Sequence, residues 1–377
     1  MKIKFTGDFF IDEKVNNPKD LINDITPFFE DSDFNIVNLE SPVSKNNKQN
    51  KILKTGPNLN GNPKTFEILK ELKINLVTLA NNHIMDYGEI GLLDTLKGLK
   101  KYKISNVGIG KNIKDAVKPF TIEKKDVKIA ILNFAENEWS NASDEKSGAN
   151  PLDIIENIKQ INKAKLCHDK VIVIIHGGHE YYNLPSPRMV KQYRFFAENG
   201  ADVIIGHHTH CISGYEVYKN VPIFYSLGNM LFTIPNKNIE WYTGIILELE
   251  CEKDKMLKWK IHPIEQSQKD YRVSLLNGAQ KERILNEVDK YSKIIKNEKE
   301  FMETWKLFIQ SKKKTVNIFS PISSIKWRYL KGALNRLGFN KLLLKNAYLA
   351  QILNHIRCEA HKDVVSEILN DQIYKNK

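Results

Sequence analysis

The stretch ADVIIGHHTH, Ala201–His210, decides the fold class more than any other part of the chain. A short apolar run ends at a glycine, and three histidines follow within four residues. A second stretch of the same design, KVIVIIHGGHE at Lys170–Glu180, contains His176 and His179. Apolar runs of this length are typical of buried strands, and α/β proteins bind ligands at the carboxyl ends of such strands. The two runs therefore predict a parallel sheet with a histidine-rich site at one edge.

Strand and helix patterns alternate from the N-terminus to about residue 265. The predicted strands are Lys2–Thr6, Phe34–Asn38, Ile74–Leu79, Ile104–Val107, Val127–Asn133, Val171–Ile175, Val203–Ile205, Ile223–Tyr225, Gly244–Glu250 and Leu257–His262. The predicted helices are Pro63–Leu72, Glu89–Tyr102, Pro151–Leu166 and Pro187–Asn199. This alternation predicts a layered α/β fold. The last three strands have no helix between them, which predicts an antiparallel portion of a mixed sheet.

The pattern changes after residue 265. Lys281–Ile309 and Lys331–Asn370 have helical periodicity, and the Ser- and Pro-containing segment Ser311–Ile325 separates them. We therefore predict two domains, an α/β domain at 1–265 and a basic, mainly helical region at 266–377.

The net charge of +12 is concentrated in the C-terminal region. Thr304–Cys358 has eleven Lys or Arg residues and no Asp or Glu, which is typical of a segment with a polyanionic partner. Within it, Ile325–Asn346 mixes aromatic and aliphatic residues with Lys and Arg at helical spacing. Two interpretations stay open: the segment binds an anionic membrane surface, or its apolar face packs on the first domain or a second subunit. Nucleic acid is disfavoured because no recognition signature is present.

Composition indicates an ordinary soluble protein with ample apolar residues for a core, at 41% hydrophobic content. No run approaches the roughly 18 apolar residues of a membrane span, and the start of the sequence lacks the apolar stretch of a signal peptide. We expect a cytoplasmic protein, with peripheral contact at the inner membrane surface left open. The cysteines, at positions 167, 211, 251 and 358, are far apart, and we expect them to be reduced and mostly buried.

Five turns that follow predicted strands have side chains suited to metal binding. They are Gly7-Asp8, Asn38–Glu40, Asn81–His83 with Asp86, His176–Glu180 and Gly206–His210. Because ligands of open α/β sheets bind at the carboxyl ends of strands, these turns can converge although they span about 200 residues. Carboxylate, amide and imidazole groups in this mixture suit one or two divalent ions such as Mn, Zn or Fe. A pair of such ions activates water for hydrolysis or group transfer.

Six ordered motifs resemble the capsule synthesis protein CapA family. They are GD at Gly7-Asp8, NLESP at Asn38–Pro42, LANNHIMDYGEIGLLDTL at Leu79–Leu96, HGGHEYYNLPSP at His176–Pro187, DVIIGHHTH at Asp202–His210 and YSLGNMLF at Tyr225–Phe232. The resemblance covers residues 1 to about 265. It implies a layered α/β/β/α sandwich of the calcineurin-like metallophosphoesterase type, here with a C-terminal helical appendage. It also implies a part in poly-γ-glutamate capsule or other exopolymer biosynthesis, with an anionic polymer or its precursor as substrate and other capsule biosynthesis proteins as partners.

The resemblance also implies roles for individual residues. The metal ligands would be Asp8, Glu40 as the bridging carboxylate, Asn82, His176, His208 and His210. His83 would assist the leaving group with Asp86 as its orienting partner, and Glu180 is a further catalytic candidate. Substrate-contacting or supporting positions would be His179, Tyr181, Arg188, His207 and Asn229. We expect His207 to support the site, because neighbouring side chains of an extended segment point to opposite sides.

Two positions depart from the metallophosphoesterase pattern. Phe10 stands where those enzymes usually have a histidine, two residues after the first aspartate, and Glu40 is one methylene longer than the usual bridging aspartate. Three functions follow as hypotheses. The first is a metal-dependent hydrolase or transferase of capsule or exopolymer biosynthesis. The others are a metal-binding, non-catalytic scaffold of a capsule synthesis or export complex and a general nucleotide phosphodiesterase.

Overall fold

The structure, a computed structural model, describes residues 1–45, 48–124, 126–253 and 255–374. The strands in these ranges are β1 (Lys2–Phe10), β2 (Phe34–Leu39), β3 (Leu76–Thr78), β4 (Ser105–Val107), β5 (Ile109–Gly110), β6 (Phe120–Lys124), β7 (Val127–Ala135), β8 (Gly148–Ala149), β9 (Lys170–His176), β10 (Val203–His207), β11 (Tyr215–Tyr218), β12 (Val221–Phe224), β13 (Asn229–Phe232), β14 (Thr243–Glu250), β15 (Lys258–Gln266) and β16 (Val273–Leu275). The α-helices are α1 (Thr65–Glu71), α2 (Gly88–Tyr102), α3 (Ile113–Ala116), α4 (Ile154–Lys165), α5 (Pro187–Glu198), α6 (Gly278–Lys296), α7 (Glu298–Ser311), α8 (Arg328–Arg336), α9 (Phe339–Leu343), α10 (Asn346–Arg357) and α11 (Glu359–Tyr374).

The strands form two mixed sheets and a small ribbon. The larger sheet has the order β16-β15-β14-β1-β2-β3-β4, with β13 also paired to β1, and the smaller has the order β11-β12-β10-β9-β7-β6. β1 to β4 are parallel to one another, as are β7, β9, β10 and β12. β5 and β8 form the ribbon. Parallel pairs dominate around the strands that end in polar residues, which brings those ends to common edges.

Alternating side chains of each strand pack into different layers. Ile36 of β2 joins a buried cluster that also contains Ile131, Ile172 and Ile205 of the smaller sheet, so this cluster lies between the sheets. Its neighbour Val37 joins a second cluster, with apolar side chains of α1 and α2 on the opposite face of the larger sheet. Helices α4 and α5 contact the strands of the smaller sheet. The predicted layered α/β fold is therefore confirmed, and so is the presence of helices in the C-terminal region.

The prediction for the last three strands is wrong in part. β14 and β15 are antiparallel neighbours in the larger sheet, as predicted. The segment predicted at Ile223–Tyr225 is β12, which belongs to the smaller sheet and lies parallel to β10. The reason is a hairpin between β11 and β12, whose turn residues Lys219 and Asn220 both have positive φ, the geometry of tight β-hairpin turns.

The chain divides into two compact units, Met1–Phe301 and Met302–Lys377. The predicted boundary near residue 265 lies inside the first unit, where β16 pairs with β15 and α6 contacts β11 and β15. Within the second unit, the predicted helix Lys331–Asn370 is interrupted at Gly338, which has a φ of 78°, and again near Lys345 and Cys358. None of the helices in the described ranges combines the length and apolar composition needed to cross a bilayer. All four cysteines are free thiols, two of them buried.

Candidate metal centre

The candidate centre lies where strand ends of both sheets meet. In the larger sheet Asp8 of β1 is directly opposite Asn38 of β2, and in the smaller sheet His207 of β10 is opposite His176 of β9. The two sheets come together at these residues: Asn38 Nδ2 is 2.7 Å from Asp8 Oδ1 and 3.2 Å from His176 Nδ1. The predicted convergence of these turns is thus present in the structure.

Asp8 lies within β1, which corrects the prediction that Gly7-Asp8 forms a turn after the first strand. β1 continues to Phe10, and its pairing with β2 is irregular between Thr6 and Asp8. Gly7 permits this because a Cβ there would be 1.9 Å from the carbonyl oxygen of Gly228. That close approach lets the N–H of Asp8 donate to Gly228 O at 3.0 Å, and the irregular pairing turns the carboxylate toward the histidines.

Glu40 follows β2 and has a carboxylate with no hydrogen-bond partner. Both of its oxygens are buried, and neither has a partner among the described residues. Oε1 is 3.5 Å from Nε2 of His176 and 3.6 Å from Nε2 of His210. Burial, followed by the negative charges of Asp8 and Glu180, raises the pKa of Glu40 well above its usual value. A buried carboxylate without donors is costly, and a cation between it and the histidines would remove that cost.

Two groups of side chains fit divalent ions. Glu40, His176 and His208 form one group, and Asp8, Glu40 and His210 form the other; in each group the ligand atoms lie within 4.8 Å of one another. Glu40 belongs to both groups, which is the arrangement expected of a bridging carboxylate. Burial lowers the pKa of His176 and of His210, so their imidazoles are held neutral, the form that binds metal ions.

Asp8 is surrounded by donors. Besides the bond from Asn38, it accepts one from the backbone N–H of His208 at 3.1 Å. Burial alone would raise the pKa of Asp8, but the adjacent ring of His207 and the rings of His176 and His210 outweigh it and hold the pKa below its ordinary value. Asp8 is therefore a carboxylate in the folded protein.

The turn Gly206–His210 has an unusual backbone. His208 and His210 both have positive φ, at 91° and 54°, a conformation that costs non-glycine residues on the order of 1–3 kcal/mol and is found mostly at functional sites. The hydroxyl of Thr209 between them donates to the carbonyl of Cys211 at 2.9 Å and stabilises the turn. The turn directs the two alternate imidazoles to the two ligand groups.

Asn82 and His83 approach the centre from the turn after β3. Oδ1 of Asn82 is 3.1 Å from Nε2 of His176, and Nδ1 of His208 is also 3.1 Å from that nitrogen. His83 Nδ1 is 2.6 Å from Oδ2 of Asp86. Asn82, His176 and His208 thus direct their polar atoms to a common point, with the His83–Asp86 pair beside it.

The sequence profile of the bacterial capsule synthesis protein PGA_cap matches residues 2–234, which is more than half of the chain. The chain belongs to the PGA_cap family. The resemblance to capsule synthesis proteins predicted from the six motifs is confirmed.

Two curated relatives and one solved structure extend the comparison. The chain is 36% identical to "Capsule biosynthesis protein CapA" of Bacillus anthracis, over 55% of this chain and 52% of that protein. It is 36% identical to "PGA biosynthesis protein CapA" of Bacillus subtilis, over 62% and 63% of the two chains. The chain thus spans between about half and two thirds of the length of these relatives. A crystal structure of a hypothetical protein from Thermus thermophilus aligns over 70% of this chain and 99% of its own, with a TM-score of 0.44 and 13% identity.

The turn after β9 forms the outer side of the site in this PGA_cap protein. Glu180 is exposed, outside both ligand groups, while Tyr181 is 40% exposed with its ring stacked on Trp241. His179 is half-buried in the same turn. The guanidinium of Arg188 pairs with Glu136, which also accepts the N–H of Gly178 at 2.9 Å. The charge of Arg188 is therefore partnered within the protein, at the base of the turn that holds Glu180 and Tyr181.

His207 and Asn229 lie on either side of the proposed ligands. His207 is in neither ligand group; its Nδ1 is 3.4 Å from Oδ1 of Asp8. Asn229, opposite Asp8 on β13, has its Oδ1 2.9 Å from Nδ1 of His210. Both residues thus lie beside proposed ligands, and their supporting roles stay predictions.

Phe10, at the position where metallophosphoesterases usually have a histidine, is part of an aromatic cluster. Its ring lies 5.1 Å from that of Phe232, and the rings of Phe232 and Trp241 lie 4.9 and 4.6 Å from the His210 imidazole. This corner of the centre is thus apolar behind His210.

Three contributors escape the sequence-based list of site residues. Asn38 donates to Asp8, Trp241 packs on His210, and Lys54 contacts Asp86 at 2.5 Å. Asn38 could have been found, because it occupies the end of a predicted strand like the histidines. Lys54 and Trp241 lie in segments without strand or helix periodicity, so no pattern in the sequence associates them with the site.

Proposed function

We propose that this protein is a metal-dependent hydrolase or transferase of the phosphoesterase type that acts in the biosynthesis of capsule, poly-γ-glutamate or another exopolymer. The single observation that carries the chemical part is the buried, unpartnered carboxylate of Glu40 between the histidines. Membership of the PGA_cap family supports the biological part, as do the two relatives named for capsule and PGA biosynthesis. The substrate we propose is the anionic polymer or its precursor.

The proposed ligands are Asp8, Glu40, Asn82, His176, His208 and His210, holding one or two ions of Mn, Zn or Fe. Ions of this kind polarise a phosphoryl or carbonyl oxygen and lower the pKa of water. Mixed oxygen and imidazole donors without thiolates favour these metals over softer ones. Neutral histidines and an ionised Asp8 provide the protonation states that such ions require.

The chain's own residues supply proton transfer and positioning in this proposal. His83, held through Nδ1 by Asp86, presents Nε2 as the nitrogen that exchanges a proton with the leaving group. Tyr181 and Trp241 form an aromatic side to the site that limits water around His210. Glu180 is exposed on the turn beside them and belongs to neither ligand group, so in this proposal it contacts substrate instead of an ion.

Metal content and turnover test the proposal together. We expect the purified full chain to bind Mn, Zn or Fe and to hydrolyse a phosphomonoester, phosphodiester or γ-glutamyl amide substrate, and His208→Ala to abolish turnover. His168→Ala is the matched control, because this histidine contacts Thr121 and belongs to neither ligand group. Bound metal with no turnover on any substrate would contradict the proposed enzymatic function. It would favour a metal-binding scaffold of a capsule synthesis or export complex. Activity confined to nucleotide diesters would favour a general phosphodiesterase. A chain that binds no divalent metal would contradict the biosynthetic enzyme, the scaffold and the phosphodiesterase alike.

For the C-terminal unit we propose peripheral binding to an anionic membrane surface. Trp327 and Tyr329 at the start of α8 are 77% and 94% exposed, and the segment Thr304–Cys358 has eleven basic and no acidic residues. Exposed aromatic side chains among Lys and Arg are typical of interfacial segments. Binding of this unit would attach the chain to the membrane side, proposed to be cytoplasmic, at which lipid-linked precursors are present.

Vesicle flotation tests this part with the full chain. We expect binding to vesicles that contain phosphatidylglycerol and none to pure phosphatidylcholine. Each Lys or Arg near an anionic surface contributes about 1 kcal/mol, so reversing three charges with Lys326→Glu, Arg328→Glu and Lys331→Glu should weaken binding by more than about 100-fold. The control reverses three exposed lysines of α6 and α7, with Lys290→Glu, Lys296→Glu and Lys299→Glu. Equal losses in the two triple variants, or no flotation of the wild type, would overturn the proposal.

A further inference from the structure

Lys54 has a buried ammonium group beside the candidate centre. It lies in an irregular segment between Lys51 and Asn60, yet only 2% of its side chain is exposed. Its Nζ is 2.5 Å from Oδ1 of Asp86 and 3.1 Å from Nδ1 of His83. A buried lysine is uncommon unless its charge is compensated, and here Asp86 provides the compensation.

The contacts of Asp86 fix the position of a proton. Oδ2 of Asp86 and Nδ1 of His83 are 2.6 Å apart, which requires a hydrogen between them. Lys54 pairs with Oδ1 and the N–H of Leu59 donates to Oδ2 at 2.7 Å, so Asp86 is a carboxylate with no proton of its own. The hydrogen therefore resides on Nδ1 of His83, and in the neutral ring Nε2 has the lone pair.

This assignment also explains the short distance between Lys54 and His83. Nζ and the protonated Nδ1 are both donors, so their 3.1 Å separation is not a hydrogen bond between them. Lys54 instead forms an ion pair with Oδ1 of Asp86, and the ring N–H of His83 donates to Oδ2 of the same carboxylate.

The segment that contains Lys54 is itself attached to Asp86. The backbone carbonyl of Asp86 accepts the N–H of Ile52 at 3.1 Å and the Nδ2 of Asn58 at 3.0 Å. Together with the bond from Leu59, these contacts hold residues on both sides of Lys54 to a single residue. The ammonium group is consequently held in a fixed place although its segment has neither helix nor strand.

We propose that Lys54 is a positioning residue, which orients the carboxylate of Asp86 and thereby holds His83 in the tautomer with its proton on Nδ1. The role in turnover rests on the function proposed above, whereas the tautomer does not. The side chain of Lys54 acts through Asp86 and needs no contact with substrate. Substitution of outer-shell partners in metal sites typically changes metal affinity or activity 10–100-fold, and we expect an effect of that size for Lys54.

Nitrogen-15 NMR of the histidine rings tests the tautomer in the full chain without any substrate. His83→Gln identifies the signals of His83 in the zinc-loaded protein. In the wild type we expect the His83 signals to be those of a neutral ring with its proton on Nδ1. In Lys54→Met we expect a mixture of the two tautomers of His83, because Oδ1 of Asp86 is left without its ion-pair partner. Lys54→Arg keeps a positive donor and should keep the pattern. If the neutral His83 ring of the wild type has its proton on Nε2, the proposal is overturned. This result needs no variant, so it holds even if Lys54→Met fails to fold.

Kinetics provide the second readout. With a substrate that the wild type turns over, Lys54→Met should lower kcat by at least about 10-fold and leave KM within about 2-fold, while Lys54→Arg should stay within about 3-fold of wild type. Lys51→Met is the matched control, since it removes the same charge from an exposed side chain of the same segment. Equal kcat values for Lys54→Met and Lys51→Met would overturn the proposal. Absence of turnover in the wild type would contradict the proposed function alone, because the NMR result stands independently.

Discussion

Asp8 and Glu40 are two buried carboxylates of one centre, and they differ in what the protein provides for them. Asp8 accepts hydrogen bonds from Asn38 and from the backbone of His208, and its pKa lies below the ordinary value. Glu40 has two buried oxygens without a hydrogen-bond partner in the described part of the chain, and its pKa lies well above the ordinary value. The pKa values of these two neighbouring carboxyl groups are thus shifted in opposite directions.

The difference shows what each carboxylate depends on in the absence of an ion. The protein alone satisfies Asp8, so its charge contributes to the architecture whether or not an ion is bound. Glu40 is satisfied only by a cation or a proton, because no donor in the described part of the chain reaches it. Of the two proposed ligands, Glu40 is therefore the one that depends more on the proposed ion.

Glu40→Gln should have the largest effect, because Glu40 belongs to both ligand groups. We expect Mn²⁺ affinity, measured by calorimetric titration, to fall by more than about 100-fold, since loss of a mere orienting partner already costs 10–100-fold. The melting temperature of the metal-free protein should stay equal or rise, because the substitution removes a buried carboxyl group that has no hydrogen-bond partner in the described part of the chain.

Asp8→Asn is the counterpart and should act in the opposite direction on the metal-free protein. An amide has one acceptor oxygen for the two donors that face Asp8, so one buried donor loses its partner. The free energy of unfolding should fall by about 1–3 kcal/mol in chemical denaturation. Destabilisation of the metal-free protein by both variants alike would refute the distinction between the two carboxylates.

A smaller difference in Mn²⁺ affinity is expected between substitutions of the proposed ligand His208 and of its chain neighbour His207. His208→Ala removes a member of a ligand group and should lower Mn²⁺ affinity by about 100-fold, whereas His207→Ala removes a ring beside Asp8 and should lower it by about 10-fold. Metal titration of both variants under one condition measures the ratio. A larger loss for His207→Ala would reverse the assignment and make His207 the ligand.

The smallest effect should appear at the outer side of the site. Tyr181→Phe removes only a hydroxyl that accepts a hydrogen bond from Asn236 at 3.1 Å, and it keeps the ring against Trp241. We expect metal affinity to be unchanged and KM for an active substrate to change by less than about 3-fold, in line with a partly exposed hydrogen bond of about 0.5–1 kcal/mol. A loss of metal binding in this variant would show that the outer turn is coupled to the ligands.

The sequence predicts much of the fold because local signals and burial agree there. The Val- and Ile-rich segments around Val171–Ile175 and Val203–Ile205 are strands of the smaller sheet, and α2 and α5 begin and end within a residue or two of their predicted bounds. The partition of strands between sheets depends on longer-range pairing. Nothing local in Ile223–Tyr225 indicates that it joins β10 rather than β14.

The candidate site is predictable where its residues follow strands, and hidden where tertiary contact alone places them. The sequence predicts His176, His208 and His210 as site residues because they come directly after predicted strands. The position of Asp8 within β1 depends instead on the close approach of Gly228 to Gly7. Lys54 reaches Asp86 only because its segment is bonded to that residue. The hydrophobic periodicity of the sequence cannot predict a contact of this kind.

The packing of Trp241 against His210 gives the centre a built-in optical reporter. The indole is 4% exposed and its ring lies 4.6 Å from that imidazole, so its emission originates within a few ångströms of a proposed ligand. A paramagnetic ion such as Mn²⁺ bound there would quench this fluorescence, whereas Zn²⁺ would not. Comparison of the wild type with Trp241→Phe would isolate the signal from the other tryptophans and turn ion binding into a direct spectroscopic measurement.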